Sequence, residues 1–197
     1  MLELRYPPNP EGAMHLFLAA LISLSSSAFA DRFAGDNSSG HVKFDLDSTL
    51  HNVPGNAASF TSEITIDDGV SGVLTIQSTS IKTGIKVRDQ RMYDFCLDAQ
   101  SFPTITFELR GITGDEEGFK SKTGTGTVNL HGKLNIRSTS RDLIVPTSYT
   151  WTETGVKLNG KSEVKWSDYG VPDPSILIST VQPVLTMNFE LDLQKTF

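Results

Sequence analysis

From Val42 onward, apolar and polar residues alternate with a period of two. This is the spacing of a strand with one face on a core and the other in water. Val42, Phe44 and Leu46 are separated by Lys43 and Asp45. Ile64 and Ile66 alternate with Glu63, Thr65 and Asp67, and Ile105, Phe107 and Leu109 alternate with Thr106 and Glu108. Val128, Leu130, Leu134 and Ile136 continue across a break at His131-Gly132. Val156 and Leu158 precede Val164 and Trp166, with Asn159-Gly160 between them. The last run puts Leu185, Met187, Phe189, Leu191 and Leu193 on one face. Turn residues separate the runs at Asp68-Gly69, Gly114-Asp115, Gly124, Gly126, Thr154-Gly155 and Asn159-Gly160. Asn-Gly is the strongest short hairpin signal, because both turn positions favour positive φ. Many short strands with regular turns predict an all-β antiparallel sandwich or barrel, and closure would leave no exposed edge.

One stretch departs from alternation. Val87 to Leu97 has no Gly or Pro, and Arg88, Met92 and Phe95 fall at helical spacing. A short helix over 87–97 is expected. It stops before Phe102-Pro103, since a proline biases the preceding residue to an extended conformation. Residues 170–183 hold three prolines around an apolar centre and read as a loop followed by a short strand.

The N-terminus has a different logic. His15 to Leu24 is an apolar run far short of the ~20 residues that span a bilayer. Ala28-Phe29-Ala30 follows, a small-x-small cleavage pattern. Residues 1–30 therefore read as a secretory signal peptide, cut near Ala30, with Met14 as an alternative start. Residues 31–197 read as a single domain, periplasmic or secreted after cleavage. Asp31, not cysteine, follows the cut, which excludes a lipoprotein anchor at that site. No later segment is long and apolar enough to insert stably in a membrane. A net charge of −6 with no basic stripe argues against a nucleic-acid partner.

Four blocks in order resemble the YceI-like family of exported, lipocalin-like, polyisoprenoid-binding proteins. The first runs from Thr83-Gly84 through Arg88-Asp89, Met92 and Leu97-Asp98 to Phe102-Pro103-Thr104-Ile105-Thr106-Phe107. The second is Gly126 to Gly132, similar to a family hairpin ending His-Gly, and the third is Trp166-Ser167-Asp168-Tyr169-Gly170. The fourth is Met187-Asn188-Phe189-Glu190-Leu191 in the closing strand. Arg91 stands where the family often has histidine, and Lys133 to Ser140 replaces its usual Val-Thr and Pro. The resemblance implies an up-and-down, lipocalin-like barrel of about eight strands. It also implies a soluble carrier that sequesters a polyisoprenoid, such as an isoprenoid quinone or related lipid. It leaves a homodimer open.

The candidate apolar lining is Phe44, Leu46, Phe60, Ile64, Met92, Phe95, Phe102, Ile105, Phe107, Tyr149, Trp151, Trp166, Met187 and Phe189. A barrel of eight strands is either filled by side chains or holds one small ligand. The alternative is thus a filled, non-enzymatic envelope stress or interaction module. Beyond a bound lipid, no cofactor is expected. His41, His51 and His131 lack ligand spacing, so no metal site is expected. No nucleophile–base signature points to catalysis, and Cys96, beside Phe95 and Leu97, reads as a small buried hydrophobe. Arg88-Asp89 admits two readings, an anion-binding pair or a local cap at the helix start.

Overall fold

The computed structural model describes residues 30–176 and 179–196, and in it every alternating run is a strand. The expected signal segment, up to residue 29, lies outside the described residues. The strands are β1 (Asp31–Asp36), β2 (Gly40–Ser48), β3 (Asn52–Ala57), β4 (Phe60–Ile66), β5 (Val70–Gln77) and β6 (Ile81–Lys82). They continue as β7 (Thr104–Gly114), β8 (Thr125–Ile136), β9 (Thr139–Trp151), β10 (Gly155–Lys165) and β11 (Val181–Thr196).

These eleven segments make eight through-going strands. β1 and β2 both run antiparallel to β11, one after the other, with Ala34 opposite Gln194 and Val42 opposite Phe189. They are one long strand interrupted at residues 37–39. β3 and β4 form the next, pairing with β2 and β1 in turn. β5 and β6 form the third, bent at Ser78–Ser80. β7 to β10 follow as an antiparallel meander, and β11 returns to β1 to close the ring. The chain is a closed eight-stranded up-and-down barrel, as the resemblance implied, and one of the two architectures that the alternation predicted.

Two expected turns are instead strand interior. Asn159-Gly160 sits in the middle of β10, with Gly160 opposite Phe189. The glycine is needed for space, not for positive φ: a Cβ there would come 2.5 Å from Phe189 Cζ. Gly132 has the same role under Phe107 in an unbroken β8. The turn after β8 lies at Arg137, whose φ is 54°.

The two ends of the barrel differ. One end carries short turns and α2 (Glu116–Lys120), a helix the alternation gave no sign of. Asp115 caps it by accepting from the Gly118 N–H at 3.2 Å. α2 turns Phe119 into the barrel, where it is wholly buried. Its ring meets Tyr149 at 5.1 Å and Trp151 at 5.4 Å, and Phe33 meets Trp151 at 5.1 Å, all edge-on. Edge-to-face pairs contribute about 0.5–1.5 kcal/mol each beyond their area. Asp31 holds the rim of this end through Lys122 and Lys195, and those two hydrogen-bonded ammonium groups lower its carboxyl pKa.

The opposite end carries longer connections. Residues 83–103 contain α1 (Lys86–Arg91), which runs into a π-helical turn, Met92–Leu97. Asp98 ends it in the left-handed conformation, φ 47°. The expected helix over 87–97 is therefore present, wound more widely in its second half. Residues 166–176 cross the same end, beginning with a 3-10 turn at Trp166–Tyr169. Among the described residues no helix is long and apolar enough to cross a membrane.

Candidate functional site: an apolar cavity at the open end

The strands under α1 leave a cavity of about 210 Å³. Phe44, Leu46, Val53, Ile105, Ile136 and Leu185 supply its barrel wall. Met92, Cys96 and Leu97 form its roof, and Trp166, Val171, Pro174 and Val181 close the side. Among the described residues, the only polar side chains on the lining, apart from the Trp166 indole, are Thr83, Arg88 and Arg91. A second space of about 90 Å³ shares Phe44, Ile105, Ile136 and Leu185 and continues inward to Met187 and Leu134. The apolar interior thus extends from the mouth towards mid-barrel.

The mouth is built by hydrogen bonds. Asp89 is buried and accepts from the Thr83 backbone N–H at 2.8 Å and the Thr83 hydroxyl at 2.5 Å. Arg88 donates through Nε to Thr83 Oγ1 at 2.8 Å and through Nη2 to Thr83 O at 2.7 Å. Arg88 and Asp89 therefore clamp the loop that leads into α1, the local reading of the pair. Arg137 joins the two segments across the mouth, donating to Cys96 O and Gly170 O, each at 3.2 Å. Arg141 adds a bond from Nε to Asp168 O at 3.1 Å. Trp166 is anchored by its indole N–H to Gln182 O at 2.8 Å.

The candidate lining residues divide into groups. Phe44, Leu46, Met92, Ile105 and Trp166 line the main cavity. Met187 borders the inner space. Ile64, Phe107 and Phe189 border only a void of about 30 Å³ deeper in the barrel. Phe60 is buried in the packed wall, and Tyr149 and Trp151 belong to the filled end. Phe102 is half-buried, with the Arg137 guanidinium 5.9 Å from its ring centroid. Phe95 is 44% exposed and carries the Arg91 guanidinium over its ring at 4.7 Å. Its displacement has a local cause. The wide π turn slows the rotation of the helix face, so the inward stripe runs from Met92 to Cys96 and Leu97 and leaves Phe95 outside.

Sequence reasoning missed Val53, Ile136, Val171, Pro174, Val181, Leu185 and Leu97 as lining residues. The alternation marked two of them, Ile136 and Leu185, as inward-facing. What it lacked was their height along the barrel, which depends on the stagger of paired strands. Arg137 carried no signal at all, because its partners are backbone carbonyls distant in sequence.

Cys96 is buried, and burial raises its thiol pKa, away from the thiolate form. His131 lies on the outward side of β8, 2.8 Å from Thr113 Oγ1. Among the described residues no three His, Cys, Asp or Glu side chains converge as metal ligands.

The barrel has relatives of known structure. BcnA of Burkholderia cenocepacia is 21% identical, with a TM-score of 0.67 over 80% of this chain and 98% of its own. A polyisoprenoid binding domain from Saccharophagus degradans, implicated in plant cell wall breakdown, is 14% identical, with a TM-score of 0.69 over 84% and 98%. A YceI protein of Campylobacter jejuni is 20% identical, with a TM-score of 0.61 over 74% and 86%. No curated protein matches the sequence closely enough to count as a relative. At these identities the structures share the fold. The sequence profile of the YceI-like domain matches residues 33–193, and the chain belongs to that family.

Proposed function

We propose that the barrel is a non-enzymatic carrier that sequesters the chain of a polyisoprenoid in its open-end cavity. The observation that carries this reading is the cavity itself: a half-open space lined almost wholly by carbon and sulfur, whose polar side chains are Thr83, Arg88, Arg91 and the Trp166 indole. Such a wall selects apolar length rather than directed polar contacts, and burial is worth about 0.8 kcal/mol per CH₂. The polyisoprenoid binding domain from Saccharophagus degradans, which shares this fold, supports the same chemistry. A space of about 150 Å³ lined by aliphatic and aromatic side chains accepts a benzene-sized molecule. The present cavity therefore takes the end of an isoprenoid chain, and a longer chain requires Met92, Leu185 and Met187 to move aside. Methionine suits that role because its unbranched thioether repacks easily.

We place the working protein outside the cytoplasm, as a soluble product of cleavage after Ala30. Two features support this. The first 30 residues have the form of a secretory signal, and β1 begins at Asp31, so the cut would leave all the strands intact.

The test is to purify the exported protein, extract it with organic solvent and examine the extract by mass spectrometry. The expected result is an isoprenoid lipid in the extract, or stoichiometric uptake of added isoprenoid quinone. Repeated absence of both would leave a non-carrier interaction module as the better reading. N-terminal sequencing of the exported product is expected to begin at Asp31.

A further inference from the structure

Eight large apolar side chains stand exposed among the described residues, and six of them lie at or beside the open end: Leu50, Ile85, Val87, Phe95, Ile176 and Val184. The remaining two, Val73 and Ile144, lie on the barrel wall. Single exposed apolar residues are ordinary, but a group gathered at one end marks an interaction site. Ile85 and Val87 flank Lys86 at the start of α1, and Val87 is 81% exposed. Leu50 joins them from the neighbouring loop, where His51 Nε2 lies 3.4 Å from Arg88 Nη1.

Cations interleave with these residues. Lys82, Lys86, Arg88 and Arg91 fall within residues 82–95 against two carboxylates, Asp89, buried against Thr83, and Asp94, which accepts from the Gln90 amide. None of the four cations forms a salt bridge among the described residues. The whole chain carries −6, so the positive sign is a local property of this segment.

We propose that this rim docks on the surface of an anionic lipid bilayer. Ile85, Val87 and Leu50 enter the boundary between headgroups and acyl chains, while Lys86 and Arg91 face lipid phosphates. Apolar side chains flanked by Lys and Arg bind such interfaces through buried area together with attraction to anionic lipid. The surface is continuous with the cavity, because Arg88 and Arg91 belong to both. A docked barrel therefore presents its mouth to the membrane, and an apolar chain passes between the two without crossing water. A second copy of the chain is a poorer occupant. A two-fold interface sets the same patch against itself and brings like charges together. The proposal goes beyond the carrier reading, since it rests on exposed side chains and charge rather than on what fills the cavity.

The experiment is flotation of the full chain with vesicles of phosphatidylglycerol and phosphatidylcholine, and with vesicles of phosphatidylcholine alone. Floated protein is expected to be about tenfold greater on the anionic vesicles and to fall as salt is raised. The doubles Ile85→Ser with Val87→Ser, and Lys86→Glu with Arg91→Glu, each lower it by about tenfold. Ile144→Ser floats like the unmodified chain. The proposal is overturned if the unmodified chain stays with the solution fraction, if either double floats undiminished, or if the doubles abolish self-association in place of flotation. Salt dependence is read on the unmodified chain, so the test stands even if a double misfolds. Extracted lipid is measured on the same preparations. Docking lost with lipid retained leaves the carrier reading intact, and docking retained with no lipid overturns the carrier reading alone.

Discussion

The two ends of the barrel are built from the same strands and hold opposite contents. At the closed end, α2 lowers Phe119 edge-on against Tyr149 and Trp151, with Phe33 edge-on to Trp151 in turn, and this ring cluster fills the tube. At the open end, α1 and its π turn lie across the mouth, and Met92 and Leu97 reach only far enough to roof a cavity. The closed end even tolerates the Trp151 indole N–H without a hydrogen-bond partner among the described residues. Leaving such a group unpaired costs on the order of 1–3 kcal/mol, so aromatic packing dominates there. At the open end the polar groups are satisfied, by the Asp89–Thr83–Arg88 clamp and the Arg137 clasp, while apolar contacts are incomplete. Stability is thus concentrated at one end, and free apolar volume at the other.

Substitutions test this division, beginning with the largest effect on stability. Phe119→Ala removes the plug, and a buried Phe→Ala change costs about 3–5 kcal/mol. Urea denaturation is expected to show that loss, while extracted lipid per folded molecule is unchanged. An equal loss of lipid would mean that the two ends are not separate.

Asp89→Ala is next. It strips the acceptor from the Thr83 N–H and hydroxyl, and is expected to cost about 1–3 kcal/mol. The accompanying sign is faster proteolysis within residues 83–97, with the strand core unaffected. Cleavage at the closed end instead would contradict a local role for the clamp.

Tyr149→Phe is smaller, about 1 kcal/mol, for the hydrogen bond from its hydroxyl to Asp115. It also has a pH signature. Burial, with the Asp115 hydrogen bond, pushes the Tyr149 pKa from 10.0 up to about 12. The folded state therefore holds this proton more tightly than the unfolded chain. Its contribution is complete below pH 10 and is lost as pH rises from there towards about 12. Melting temperatures across that window should fall more steeply for the unmodified protein than for Tyr149→Phe. Parallel curves would show that the phenol does not titrate with unfolding.

The smallest effect on stability carries the sharpest contrast in function. Ile136→Phe adds a ring to the wall shared by both spaces of the open end. Overpacking a full core costs about 1–3 kcal/mol. Because the added ring has a cavity to enter, the expected change lies below that range. Extracted lipid, or uptake of isoprenoid quinone, is expected to fall several-fold. A full lipid complement in this variant would move the binding place elsewhere.

Much of this architecture was legible in the alternation. Val128, Leu130, Leu134 and Ile136 face inward along β8 as their spacing requires, and the outward side carries His131 and Lys133. The helical excursion ends at Asp98, short of Phe102-Pro103 as expected, and that pair leads into β7, because proline biases the preceding residue to an extended conformation. The readings that failed share one cause. Asn159-Gly160 has the form of a hairpin turn, but Gly160 exists to admit the Phe189 ring from the neighbouring strand. That neighbour is known only once β10 and β11 are paired. Phe119 sits in a short helix of which the alternation gave no sign, and only the closed barrel gives its ring a place to go.

The candidate site follows the same division. Sequence alone determined which residues face inward, since side-chain direction along a strand is a local property with a period of two. It could not rank them by height, because height comes from the stagger of one strand against the next. Phe44 and Tyr149 are both inward aromatics on alternating strands, yet one lines the cavity and the other fills the closed end. Closure of the ring and the two caps decided that difference. They set which stretch of the common apolar interior is packed by its own side chains and which is left open.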